Sequence, residues 1–241
     1  MNDPVGPGET LDLLCRGRVR LIQKKQGYRF SMDPILLANF VRLKKHERLL
    51  DIGTGCGIIP VYLATRGCEN PLWGIEIQEE LFGLAVRNKE LNRCENIEVV
   101  RGDIRSGAGT LKKQFHVIVS NPPYVREGTG RESPKASRRV ARQDSFLDLE
   151  TLLSAASSLL FKKGRLYLIY PTRRLAEVIF LARSQRLEPK RIRLVQAREG
   201  EESNLFLMEC IKEGGSNVKV EKQLIIYEGD AYSEEVKGYY A

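Results

Sequence analysis

Only Arg198 to Ser203 separates the last two apolar runs of the chain, near 191–196 and 204–212. That connection is too short for the crossover helix two parallel strands require, so these runs must pair as an antiparallel hairpin. Upstream the pattern differs. Short apolar runs near 48–53, 72–77, 97–101, 115–120 and 165–170 mostly alternate with helical stretches predicted at about 57–66, 79–92, 146–161 and 173–185. Such alternation builds a mostly parallel α/β sheet with helices on its faces. The expectation is a seven-stranded, mostly parallel sheet closed by a C-terminal antiparallel hairpin.

The first strand of this core runs straight into glycines, as Leu49-Leu-Asp-Ile-Gly-Thr-Gly-Cys-Gly57, with a helical segment after it. A strand, a glycine turn and a helix N-terminus form a ligand-facing corner of a βαβ unit. The spacing Gly53-x-Gly55-x-Gly57 is not the Gly-x-Gly-x-x-Gly of dinucleotide binding, because Ile58 or Pro60 falls where the third glycine is needed. It is not a phosphate-binding Walker loop either, since no Gly-Lys-Ser/Thr follows. Asp51 before the turn would repel a pyrophosphate but suits a ligand carrying an ammonium or sulfonium. Glu76 ends the second strand 23 residues past Gly53, where nucleoside-binding units place an acid for two ribose hydroxyls. Asp103, just past the third strand, is an acceptor for an adenine amino group. Cys56, beside a helix N-terminus, reads first as a small residue packed in a tight turn, although such a setting can lower a thiol pKa.

The fourth strand, Phe115 to Ser120, ends at Asn121-Pro122-Pro123-Tyr124. Two consecutive prolines cannot continue a ladder and fix a stiff exit from the sheet. The plain reading is a strand-terminating turn. The functional one is a grip on a flat amino group: Asn121 Oδ1 and the Pro122 carbonyl accept from –NH2, and Tyr124 covers the ring face.

Taken in order, Asp51-Ile-Gly53-Thr-Gly55-Cys-Gly57, Glu76, Asp103 and Asn121-Pro-Pro-Tyr124 resemble the class I S-adenosylmethionine-dependent methyltransferases that methylate amino groups. The hairpin ending belongs to that class as well. Ser31-Met-Asp33-Pro-Ile-Leu-Leu-Ala38, Ala141-Arg142 to Leu149, and the tail Leu224-Ile-Ile-Tyr227 to Tyr239-Tyr240 are similar to bacterial tRNA adenine-N6 methyltransferases acting beside the valine tRNA anticodon. The resemblance covers the chain from about residue 18 onward. It implies a Rossmann-like fold and S-adenosyl-L-methionine as cofactor. Cofactor contacts would come from Asp51, Gly53, Gly55, Gly57, Glu76, Ile77, Asp103, Ile104 and Asn121, and catalysis from Asn121, Pro122 and Tyr124. It also suggests that the segment at Asp33 lies over the cofactor. Protein glutamine N5-methylation on release factors and guanine-N2 methylation of ribosomal RNA are the alternatives, since a carboxamide and a guanine amine are also planar –NH2 groups. A DNA adenine methyltransferase would need a target-recognition domain for which there is no room, and an RNA-binding scaffold with an inactive site would not need the intact acid set.

Charge and composition complete the reading. Lysine and arginine exceed aspartate and glutamate by 39 to 31. Eleven basic residues fall between Lys162 and Arg198, against Glu177 and Glu188 alone, and six fall between Arg126 and Arg142. Such clusters suit a polyanion, and tRNA is the expected partner, with Arg126, Arg138, Arg139 and Arg142 as candidate RNA contacts. Val125 to Asp144, polar and without apolar period, is expected as a mobile loop placed to act as a lid. Five scattered cysteines without a C-x-x-C pair argue against disulfides and zinc, and no metal is expected. No run approaches the roughly 18 apolar residues of a membrane span, and the expected setting is cytoplasmic, as a monomer or weak homodimer. His116 is expected to be structural and His46 a surface residue. Residues 1–47 read as a loose tail to about residue 12, a hairpin of Arg18–Ile22 with Tyr28–Ser31, and a helix N-capped by Asp33 with Pro34 at its first position, running to about Val41. Residues 48–241 read as the catalytic domain, the whole forming one structural domain.

Overall fold

The structure, a computed structural model, describes residues 5–26, 31–105, 111, 113–123 and 148–241. Its core strands are β3 (Leu49–Ile52), β4 (Leu72–Glu76), β5 (Ile97–Arg101), β6 (Phe115–Ser120), β7 (Leu160–Pro171), β8 (Leu187–Gln196) and β9 (Ser203–Lys212). Helices α2 (Ile58–Thr65), α3 (Glu79–Leu91), α4 (Leu149–Leu159) and α5 (Leu175–Ser184) lie between them. The expected strand β7 is longer than its apolar centre, beginning where α4 ends, with a register shift against β6 between Phe115 and Val117.

The sheet order is β10-β8-β9-β7-β6-β3-β4-β5, where β10 (Lys219–Val220) and a further short strand, β11 (Leu224–Ile225), both pair with β8. Among the described residues the sheet thus comprises nine strands, seven in the expected places and two short edge additions. The pairs β3–β4, β4–β5, β3–β6 and β6–β7 are parallel, and β9 runs antiparallel to both β7 and β8. Strand order reverses at β3, with β4 and β5 on one side and β6 on the other. The carboxyl ends of β3 and β6 therefore flank a topological switch point, where open α/β sheets bind ligands.

Alternating side chains build two cores. Leu49, Leu72, Val117 and Val119 pack on one face, and Leu50, Trp73, Phe115 and Ile118 on the other. Each strand is apolar on both sides, as a sheet covered on both faces demands. Helices α4 and α5 cover the second face.

The first face also carries the N-terminal elements. β1 (Glu9–Leu14) and β2 (Val19–Lys24) form an antiparallel hairpin. This corrects two expectations: residues 9–12 are strand rather than loose tail, and the partner of β2 is β1. The segment expected as its partner lies largely outside the described residues. The apolar alternation in Glu9-Thr-Leu-Asp-Leu-Leu14 supplies the reason. β2's other edge meets α3: Asn88 Oδ1 accepts from Ile22 N–H at 2.7 Å and its Nδ2 donates to Ile22 O at 3.0 Å. One turn on, Asn92 makes the same pair of bonds with Arg20, at 2.9 and 2.6 Å. Four helical residues rise about 6 Å and two strand residues about 6.7 Å, so two amides match alternate strand positions.

Helix α1 (Asp33–Phe40) is buried on nearly all sides, with Pro34 in its first turn. Met32 occupies the N-cap position, and no side-chain cap bond is made there; Asp33, expected as the cap, is the first helical residue. The tail adds the small hairpin β12 (Tyr227–Glu228) and β13 (Ala231–Tyr232) and the short helix α6 (Glu234–Tyr239). The carbonyl of Tyr239 accepts from the Tyr62 hydroxyl of α2 at 2.7 Å, which fastens the tail to the helix after the glycine turn.

Candidate active site

Every described residue expected at the site lies at the carboxyl ends of the neighbouring strands β6, β3, β4 and β5. Asp51 sits within β3 with 1% of its surface exposed, and both its carboxylate oxygens are buried without a hydrogen-bond partner. Burial raises its pKa to about 7; the neighbouring Thr54 hydroxyl acts against this rise, and the Glu76 carboxylate adds to it. A buried acceptor pair left unmatched is costly, and it marks a place for a cationic or donor group.

The turn after Asp51 needs its glycines. Gly53, Gly55 and Gly57 have φ of 71°, 59° and 82°, where a side chain is strained. A Cβ on Gly57 would also lie 3.2 Å from that of Ala85 on α3, whereas one on Gly53 would meet nothing within 4 Å. The turn thus packs closely on α3 and stays open above Gly53. Gly53 N–H and Thr54 N–H donate to the Ile75 carbonyl, tying the turn to β4.

Glu76, 5% exposed, accepts from Gly55 N–H through Oε2 and from Gln78 N–H through Oε1, each at 2.9 Å. Its carboxylate is fixed at the crevice by two backbone donors, and each oxygen keeps a lone pair for a ligand hydroxyl. Ile77 follows, half-buried. Asp103 is partly buried, and its carboxylate is held by the Arg105 guanidinium and backbone N–H, which keep it below the usual carboxylate range. Ile104 beside it is buried.

On the other side of the switch point, Ser120 Oγ donates to the Ile52 carbonyl at 2.8 Å and locks the end of β6 to the end of β3. Asn121 Oδ1 is buried and has no hydrogen-bond partner among the described residues. Pro122 is buried and Pro123 exposed. Tyr124, Arg126, Arg138, Arg139, Arg142 and the segment expected as a lid lie outside the described residues.

Two supporting residues escaped the sequence reading. Gly74 on β4 makes room for Thr54, whose side chain would stand 2.8 Å from a Cβ there. A glycine inside an apolar strand was the available signal. Asn88 is fully buried and donates to the Cys56 carbonyl at 2.9 Å as well as to Ile22, so one amide joins the glycine turn to the N-terminal hairpin. Its signal was an amide on the helix face that carries Leu81, Leu84 and Ala85.

Cys56 is buried and its thiol is pushed up to about 12, because loss of solvation outweighs the helix N-terminus. His116 Nδ1 accepts from Arg48 N–H at 3.1 Å, with its ring against Phe161, a structural role as expected; His46 is exposed. Part of the basic stretch from Lys162 to Arg198 is neutralised by distant acids. Arg165 pairs with Glu47, Lys162 with Glu213, Arg191 with Glu209 and Glu221, and Arg193 with Glu235. Among the described residues, no group of His, Cys, Asp or Glu is arranged to hold a metal ion. No helix among them is long and apolar enough to cross a membrane.

A sheet reversed at β3, with acids ending two adjacent strands and an unmatched amide ending a third, has the architecture of a class I methyltransferase. A family profile described as the methyltransferase small domain matches residues 32–184, and the chain belongs to that family. The tRNA1(Val) (adenine(37)-N6)-methyltransferase of Tolumonas auensis is 30% identical over 216 residues, covering 88% of each chain. The enzyme of that name from Porphyromonas gingivalis is 35% identical over 167 residues, covering 68% of this chain and 65% of its own. Among solved structures, one described as a predicted O-methyltransferase from Agrobacterium tumefaciens superposes with a TM-score of 0.71 at 26% identity, covering 87% of this chain and 95% of that one.

Proposed function

We propose that this protein methylates the exocyclic N6 of an adenosine in tRNA, beside the anticodon of valine tRNA, using S-adenosyl-L-methionine. The observation that carries the proposal is the unmatched Asn121 Oδ1 on a rigid Pro-Pro turn, across the switch point from the unmatched Asp51 carboxylate. The names of the relatives above support the substrate, and the family supports the cofactor.

The residues present fit that cofactor. Asp51 offers a buried anion to its positive charge, the open space above Gly53 admits it, Glu76 can accept from ribose hydroxyls, and Ile77, Asp103 and Ile104 border the adenine end. When bound, it supplies an electrophilic methyl group on a sulfonium. The acceptor nitrogen is a poor nucleophile, because its lone pair is delocalised into the purine. Asn121 Oδ1 and the Pro122 carbonyl accept both of its N–H bonds, favour tetrahedral geometry and free the lone pair. Tyr124 stacks on the base, worth about 1–3 kcal/mol, and keeps it in line. Catalysis is then positioning and electrostatics without a strong general base. The base must first be unstacked from its RNA loop.

The deciding experiment incubates the protein with labelled cofactor and separate tRNA, ribosomal RNA and release-factor pools. N6-methyladenosine at one tRNA position is expected, read by nuclease digestion and mass spectrometry. Methylglutamine in a release factor with no modified adenosine would replace this reading.

Two predictions follow from the site. The free protein holds Asp51 protonated below about pH 7, while a cationic ligand requires the carboxylate. Binding therefore releases a proton in that range, and affinity should fall by up to about tenfold per pH unit below 7 and level off above it. For the free fold the sign is opposite: a raised carboxyl pKa makes Asp51 a cost that grows as pH rises from about 4 and is complete above about 7. Calorimetry in buffers of different ionisation enthalpy checks the proton release, which Asp51→Asn should abolish. We also expect that neutralising Arg138, Arg139 and Arg142 together raises the tRNA KM and flattens its salt dependence, with cofactor affinity unchanged. A salt slope equal to that of the unmodified protein would leave these arginines as bystanders.

A further inference from the structure

Folding cancels positive charge unevenly over this surface. In the strongly basic stretch of sequence, Lys162, Arg165, Arg191 and Arg193 are paired with Glu213, Glu47, Glu209 and Glu221, and Glu235, as described above. On the N-terminal hairpin, Lys24 pairs with Glu80, but the arginines at its turn are not paired among the described residues. Arg16, Arg18 and Arg20 are exposed along the turn and the start of β2, and Arg93 is exposed just past α3. Among the described residues, none of these four has a carboxylate within the 4.0 Å of an ion pair.

Their closeness is built in. Asn92 holds both backbone groups of Arg20, which brings Arg93 beside the strand. Arg20 is the second residue of β2, and Arg18 sits just before the strand, in the helical turn that joins β1 to β2. Opposite Arg20 in the ladder stands Leu13, 61% exposed. Arg16 and Arg93 both adopt left-handed backbone, with φ of 55° and 54°, which glycine or asparagine would take at less cost. These four guanidinium groups, three on the hairpin and one just past α3, have no carboxylate partner among the described residues and present planar donor forks suited to phosphate oxygens.

We propose that this arginine ridge binds the phosphate backbone of the tRNA at a second point, outside the catalytic crevice. The proposal rests on the tRNA reading. It assigns part of the RNA footprint to the hairpin, separately from the arginines after the Pro-Pro turn. Each phosphate neutralised on a duplex contributes about 0.9 to the slope of log affinity against log salt.

The test compares the full chain with a variant carrying R16Q, R18Q, R20Q and R93Q, titrating unmodified valine tRNA across a salt series. The ridge predicts that the slope falls by about 3 and that affinity near 0.1 M salt drops about tenfold or more, with cofactor affinity unchanged. R18K and R20K keep the charge and should keep the slope. Neutralising Lys162, Arg174 and Arg183, each ion-paired with its own glutamate, should leave it nearly intact; an equal flattening there overturns the proposal. An unchanged slope in the quadruple variant also overturns it. Should that variant fail to fold, hydrogen exchange on the unaltered protein decides: tRNA must slow exchange at residues 15–20 and 93, and no protection there refutes the ridge. If the unaltered protein binds no tRNA at all, it is the substrate reading that fails.

Discussion

Asn121→Ala should lower kcat by roughly 100- to 1,000-fold while leaving cofactor binding nearly intact. The expectation comes from where Asn121 Oδ1 sits: buried, without a partner among the described residues, at the end of a strand whose neighbour carries Asp51. An acceptor placed there matters most as the adenine nitrogen becomes tetrahedral, so the loss should appear in kcat rather than KM. Steady-state rates with saturating cofactor and tRNA measure it. Tyr124→Phe keeps the stacking face and should retain most activity, whereas Tyr124→Ala should lose much of the rate. Full activity in Asn121→Ala would end this mechanism whichever acceptor proved right.

Glu76→Ala should weaken S-adenosylmethionine binding by about 1.5–3 kcal/mol, roughly ten- to a hundredfold in Kd. Its two oxygens accept from Gly55 and Gln78 N–H, and under the proposed function each keeps a lone pair for a ribose hydroxyl. Alanine leaves two backbone donors unmatched and removes the ribose partner. Calorimetry with S-adenosylhomocysteine gives the affinity, and thermal unfolding of the free protein separates the contributions. A lower Tm with unchanged Kd would confine Glu76 to supporting the turn.

The site was legible because its chemistry is local. Asp51, the glycines, Glu76, Asp103 and Asn121 each stand at or just past the end of an apolar strand, and strand ends in a parallel sheet converge on one edge. The core strands were legible because Leu49 and Leu50, or Val117 and Ile118, serve opposite faces, so each strand reads as an uninterrupted apolar run. What stayed hidden depends on residues distant in the chain. Arg165 finds Glu47 and Arg193 finds Glu235, so a local count between Lys162 and Arg198 overstated the free charge. The hairpin register was misread because Glu9 to Leu14 follows a Gly/Pro segment and resembled a tail. Cys56 follows the plain reading of a small residue packed in the turn, since its burial outweighs the helix N-terminus visible in sequence.

The side-chain amides that close the outer edge of β2 have a consequence for biosynthesis. A strand edge with unmatched N–H and C=O groups is a template for pairing with another chain. Here the cover arrives late, because Asn88 lies 66 residues after Ile22 and Asn92 lies 72 after Arg20. A ribosome adding about 5–20 residues per second leaves that edge bare for several seconds. Polypeptides released before α3 is made would carry an open, partly apolar strand, whereas those that reach Asn92 can seal it from within.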